Sequence, residues 1–78
     1  MASFDVRVVN DDQEGIRGAR VVLGFTSVLM GMTDEKYTDS DGYAEFDRYD
    51  EGEVEVFVDG SSYGNYLYEN DGGITITI

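Results

Sequence analysis

The chain contains no cysteine, no histidine, no proline and only one lysine in 78 residues. Without cysteine no disulfide can staple it, so a domain near the lower size limit must be held by its own apolar core. Without cysteine and histidine the usual zinc ligands are gone, and any metal would have to be a hard, oxygen-bound cation such as calcium. The same absences remove the commonest general base and the thiol nucleophile, so the expectation is a protein that is not an enzyme. Without proline, strand edges lose one of their usual blocks against strand addition, and charge repulsion becomes their main guard.

What is abundant is acid. Seventeen Asp and Glu against five Lys and Arg leave a net charge of −12. Such a surface excludes wrapping nucleic acid or approaching an anionic lipid surface. Like charge at this density opposes compaction at low ionic strength, and salt relieves it by screening. Near-elimination of lysine with abundant acid resembles, in composition, the proteins of halophilic archaea and their viruses. No apolar run has the length that crosses a bilayer, and the N-terminal residues show no apolar leader segment. The expectation is a protein made and used without export, in the cytoplasm or a virion, or else a piece of a longer exported chain.

Apolar side chains recur at every second position through most of the sequence, the pattern of half-buried strands. Ser3 to Val9 turns Phe4, Val6 and Val8 to one face, and Gly18 to Leu23 turns Ala19, Val21 and Leu23 inward. The acidic stretch from Asn10 to Gly15 between them is too long for a tight hairpin, so these two strands are expected to pair elsewhere. Asp39-Ser40-Asp41-Gly42 is a turn with a mechanism, because Asp and Ser side chains bond nearby backbone N–H groups and Gly accepts positive φ. It is read as the centre of a hairpin that Glu35–Thr38 enters and Tyr43–Phe46 leaves. Further strands run from Glu53 to Asp59, over Asn65–Tyr68, and from Ile74 to Ile78, with Gly60–Gly64 as a loop and Asn70–Gly73 as a tight turn. Phe25 to Met32 reads as an irregular loop or edge strand. Seven candidate strands with turn signals every 8 to 12 residues or so predict an all-β, seven-strand, Ig-like antiparallel sandwich in a single domain over residues 1–78. Its core is expected to hold the inward residues above with Ile16, Ala44, Phe46, Val54, Val56, Val58, Ile74 and Ile76, and tyrosines to close its ends.

Three stretches in order carry a family resemblance. Gly15-Ile16-Arg17-Gly18-Ala19-Arg20-Val21-Val22-Leu23, Thr38-Asp39-Ser40-Asp41-Gly42-Tyr43-Ala44-Glu45-Phe46 and Gly52-Glu53-Val54-Glu55-Val56-Phe57-Val58 resemble the signatures of carboxypeptidase regulatory-like domains. These are prealbumin-like sandwiches related to the CnaB-type modules. The resemblance spans residues 3–59 and implies a non-catalytic module for stability, adhesion or spacing. Some CnaB-type relatives carry an isopeptide bond from a first-strand Lys to a last-strand Asn or Asp. Here the one lysine, Lys36, lies outside the first strand and the last strand holds only Ile and Thr, so no such crosslink is expected.

Two sets of residues stand out as candidate sites. Val28, Leu29, Met30 and Met32 form an adaptable apolar cluster suited to protein contact, with folding over an open end of the core as the competing reading. Tyr63 and Tyr66 belong to an aromatic set, with Tyr43, Tyr49, Phe57 and Tyr68, several of which alternation sends outward. Asp39 and Asp41, with Asp11 and Asp12 of the other acidic loop, are weak candidate oxygen ligands for calcium, and turn chemistry accounts for the same residues. Together these readings favour a structural or assembly module that binds other protein subunits, self-association included. A decoration or accessory protein of a halophilic archaeal virus particle fits them, and a carbohydrate- or ligand-binding adhesion module is the alternative. The charge balance carries its own test: the thermal midpoint should rise between about 0.1 M and 2 M KCl as repulsion is screened. A flat or falling midpoint contradicts it.

Overall fold

Alternation becomes strand wherever an inward row of Val, Ile, Leu or Phe finds a facing row to bury against. In a computed structural model, which describes residues 2–26 and 31–78, the strands are β1 (Ala2–Val9), β2 (Arg20–Phe25), β3 (Lys36–Tyr37), β4 (Tyr43–Tyr49), β5 (Gly52–Val58), β6 (Ser61–Tyr68) and β7 (Gly72–Thr77). They form two sheets, one ordered β4-β1-β7 and the other β3-β2-β5-β6. The fold is an all-β sandwich, with no helix among the described residues. As the long acidic loop implied, β1 and β2 lie in different sheets. β1 pairs antiparallel with β4 and parallel with β7, so the sandwich is not purely antiparallel. The four-stranded sheet is antiparallel throughout.

The expected core is present. Its members are buried, apart from Ile16 and Ile74, which pack half-buried against it. Ala2, Val9, Phe25 and Tyr68 join them. β2 and β5 pair through Val21–Val58, Leu23–Val56 and Phe25–Val54, which sets their inward residues side by side opposite β1.

The stretch read as the centre of a hairpin is instead a corner between sheets. Asp39 to Gly42 does reverse the chain: the Gly42 N–H donates to Asp39 O, and the Asp39 N–H to Tyr43 O. The strands on either side go to different sheets, β3 to β2 and β4 to β1. A turn motif encodes reversal only, and the apolar face that each flanking strand presents selects its sheet. β3 is also shorter than Glu35–Thr38, because two buried threonines replace its outer rungs. The Thr33 hydroxyl accepts from Leu23 N–H at 3.0 Å and the Thr38 hydroxyl accepts from Ala19 N–H at 2.9 Å. The Thr38 hydroxyl donates in turn to Ile16 O. Of the segment read as an irregular loop or edge strand, Phe25 closes β2 and Met32 bridges to Gly24.

Gly60–Gly64 is likewise not a loop. Asp59 and Gly60 have φ of 50° and 88°, the left-handed pair of a two-residue hairpin turn, and β6 starts at once at Ser61. The register then slips opposite Val56, where β6 places Tyr63 and Gly64 against one β5 residue. That bulge bends the strand.

Tyr68 joins the two layers. It is fully buried on β6, and its hydroxyl donates to Ala2 O on β1 at 2.6 Å. Its ring lies 5.0 Å from Phe4, 5.6 Å from Phe25 and 6.2 Å from Tyr49, centroid to centroid. Burial pushes its phenol above the ordinary 10.0, with the nearby Asp47 and Tyr49 charges adding to the shift. A folded-state value raised in this way contributes stability that is whole below the ordinary value and is lost as pH rises through the raised one. Tyr68→Phe should cost about 1 kcal/mol at neutral pH, since it removes the buried hydrogen bond to Ala2 O. It should also blunt the loss of stability above pH 10 or so. Denaturant melts at both pH values check this, and an unchanged alkaline limb would contradict the assignment to Tyr68.

Candidate functional site

Among the described residues, the outer face of the four-stranded sheet holds three of the exposed large hydrophobic side chains, Met32, Tyr37 and Leu67. On β2 and β5 the outward residues are Arg20, Val22, Gly24, Glu53, Glu55 and Phe57, with Val22 and Phe57 directly paired. Gly24 is the floor of this face. A Cβ there would lie 3.3 Å from Phe57 Cε2 and 3.7 Å from Met32 Cε, so the ring and the thioether flank the bare backbone. Met32 is 60% exposed, and at the β3 edge Tyr37, paired with Arg20, is 63% exposed. Polar groups border the apolar strip. Arg20 meets Glu35 at 3.3 Å, and the Ser62 hydroxyl donates to Glu55 Oε2 at 2.5 Å. A mostly acidic body thus has a strip of aromatic and thioether surface, the kind of composition that marks contact with protein.

At one end of the sandwich the two acidic loops meet, backbone against backbone. Val8 N–H donates to Gly42 O and Ile16 N–H to Val8 O, each at 2.8 Å. A Cβ on Gly15 would overlap Asp41 O, and one on Gly42 would overlap Val8 O. Glycine is required at both positions, and Gly42 has φ of 88°. The candidate calcium ligands are engaged or apart here. Asp39 Oδ1 accepts from the N–H groups of Asp41 and Tyr43, at 2.9 and 3.0 Å. Asp41 O accepts from Arg7 Nε at 3.2 Å, and the Arg7 guanidinium lies 5.4 Å from the Tyr43 ring centre. Asp11 and Asp12 are exposed on a turn closed by Asn10, whose Oδ1 accepts from the N–H groups of Asp12 and Glu14. Among the described residues, no three Asp or Glu side chains gather as a ligand set.

Of the residues expected to bind a partner, Val28, Leu29 and Met30 lie outside the described residues. Met32 sits on the outer strip. Tyr63 and Tyr66 are half-buried against the core on the inner side, and the Tyr66 hydroxyl donates to Tyr63 O at 3.0 Å. Val22, Gly24 and Tyr37 were not singled out as site residues. Strict alternation along Val21–Gly24 was the available signal for the first two, because it sends Val22 and Gly24 outward together.

No family model matches the chain, and no curated protein matches it. Among solved structures the fold is similar to the Bacillus anthracis TIE protein, at a TM-score of 0.71 and 14% identity. The match covers 99% of this chain, which spans only 16% of that protein's length. The likeness is one of fold.

The turn geometry predicts unequal roles for the two aspartates. Asp39→Ala, which removes the acceptor for two backbone N–H groups, should lower stability by about 1 kcal/mol. Asp41→Ala, whose backbone rather than side chain is used, should stay within about 0.5 kcal/mol of the parent. Urea melts with and without calcium read both. Equal losses appearing only in calcium would assign the pair to a cation instead.

Proposed function

We propose that this chain is a non-catalytic structural module that docks other protein subunits through the outer face of its four-stranded sheet. The observation that carries the reading is the strip of Val22, Phe57, Met32 and Tyr37 around Gly24, set in a chain of net charge −12. Apolar groups on such a body bind best where salt screens the approach of the partner and strengthens apolar association. A decoration or accessory subunit of a halophilic virus particle combines high salt with subunit docking, and is the setting we favour. The resemblance to carboxypeptidase regulatory-like modules supports the same non-catalytic role.

A second reading draws on one observation. The fold neighbour holds this architecture within 16% of its length, and the alternative we weigh is that this chain too is one module of a longer protein, a carbohydrate- or ligand-binding adhesion module. Both readings place docking, not turnover, at the centre.

The test is affinity capture in about 2 M KCl, where screening is nearly complete, with immobilised chain and an extract of the source organism. Phe57→Glu and Met32→Glu should each abolish capture of a defined protein without shifting the melting midpoint, while Glu45→Gln on the other sheet leaves capture intact. Capture indifferent to all three substitutions would remove the outer face from the proposal.

A further inference from the structure

Four strand edges bound the two sheets, and three of them are guarded. β4 carries Glu45, Asp47 and Arg48, all exposed. β3 is two residues long and is flanked by the Thr33 and Thr38 hydroxyls. β6 is bent by its bulge at Tyr63 and Gly64, where Gly64 has φ of 100°. Charge, brevity and bulges are the usual devices that stop sheets from adding strands. β7 has none of them. It runs six residues in unbroken register with β1 and carries no charged side chain.

The backbone of β7 is also aimed correctly for pairing. Ile78 N–H donates to Val9 O. Successive residues direct their backbone groups to opposite sides, so Ile74 and Ile76 face β1 as well, and Gly73, Thr75 and Thr77 face the open edge. Among the described residues no strand pairs there. The neighbouring edge on the same flank, β6, is uncharged too. Residues 61–78 hold just Glu69 and Asp71 of the chain's 17 acids and none of its five cations.

We infer that β7 pairs antiparallel with β7 of a second copy, about a two-fold axis at Thr75. This goes beyond the docking proposal above, which concerns the outer face of the other sheet. A neutral row of Thr and Ile offers nothing to a basic partner, which the acidic faces would attract instead. The matching surface is another neutral, β-favouring strand, and the chain itself supplies one. Antiparallel pairing sets Thr75 against Thr75 and Gly73 against Thr77, three pairs exchanging about six backbone hydrogen bonds. It also carries Asp71 and Glu69 to opposite ends of the seam, whereas parallel pairing would stack Asp71 on Asp71. The two three-stranded sheets become one of six strands. Both bodies keep a net charge of −12, so the pairing strengthens as salt rises, opposite in sign to an interface held by ion pairs.

Size-exclusion chromatography with light scattering, on the full chain at about 0.1 M and 2 M KCl, tests this. The mass should move from 8.7 kDa to twice that value as salt rises. Thr75→Pro removes an N–H that faces the open edge and spares the bonds to β1, so it should stay monomeric at both salts, with its midpoint unchanged at about 0.1 M KCl, where the parent is monomeric too. Amide exchange on the unaltered chain gives a second readout should that variant fail to fold: in the dimer Thr75 and Thr77 gain protection while Ile76 does not change. A monomer at every salt overturns the edge pairing and leaves outer-face docking standing. A dimer that persists in Thr75→Pro and dissolves in Phe57→Glu overturns it in favour of the outer face. A dimer that dissociates as salt rises overturns it as well.

Discussion

The contact between Tyr68 and the start of β1 is the constraint on which the two-layer arrangement turns. Within each sheet the strands hold one another by backbone hydrogen bonds, whereas among the described residues the sheets meet through side chains and corners. Tyr68 spans that gap with both of its parts. The ring fills the space among Phe4, Phe25 and Tyr49, and the hydroxyl ends on Ala2 O. Phe46 extends the cluster through Tyr49, at 6.5 Å. An aromatic plug of this kind suits a chain without disulfides, because large rings remove more apolar area from water per residue than the valines that make up most of the remaining core.

The opposite end of β1 is built on different physics. There the strand meets two loops whose close approach needs glycine at positions 15 and 42, and whose polar groups are turned back on their own backbone by Asn10 and Asp39. One end is held by burial and the other by hydrogen-bonded turns. Arg7 spreads over the second end, bonded to Asp41 O and stacked on Tyr43, and so places one of the few cations where two acidic loops converge. The charge is unevenly distributed along the chain. The acids crowd the loops and the outward positions of β1, β4 and β5, and leave the β6 and β7 flank neutral.

The sandwich and nearly all of its core were legible from alternation, because a row of Val at every second position, as in Val54, Val56 and Val58, has few other ways to bury itself. What alternation could not convey was partnership. Asp39-Ser40-Asp41-Gly42 announces a reversal in the same terms whether the next strand pairs with the last or crosses to the other layer, and here it crosses. The Asp59-Gly60 turn was readable, since that dipeptide between alternating segments is a hairpin signal. The run of Gly and Ser after it looks like a loop, and a bulge was needed to absorb it. The bulge also shifts alternation along β6, which is why Tyr66 and Tyr68 face the core. The threonines that shorten β3 left no periodic trace, as a hydroxyl that substitutes for a backbone acceptor is visible only once its partner strand is placed. For the candidate site, Met32 was marked by residue type, whereas the glycine beneath it was not, since a missing side chain matters only through what lies across it.

The parallel run of β1 beside β7 has a mechanical consequence. The chain enters the domain at one end of this pair and leaves it at the other. Tension applied between Ala2 and Ile78 would slide the strands past each other along their length, so that the rungs from Phe4–Gly72 to Val9–Thr77 bear the load together and cannot open one after another. A thread passing through this domain would therefore meet a clasp at the very pair of strands that closes the smaller sheet.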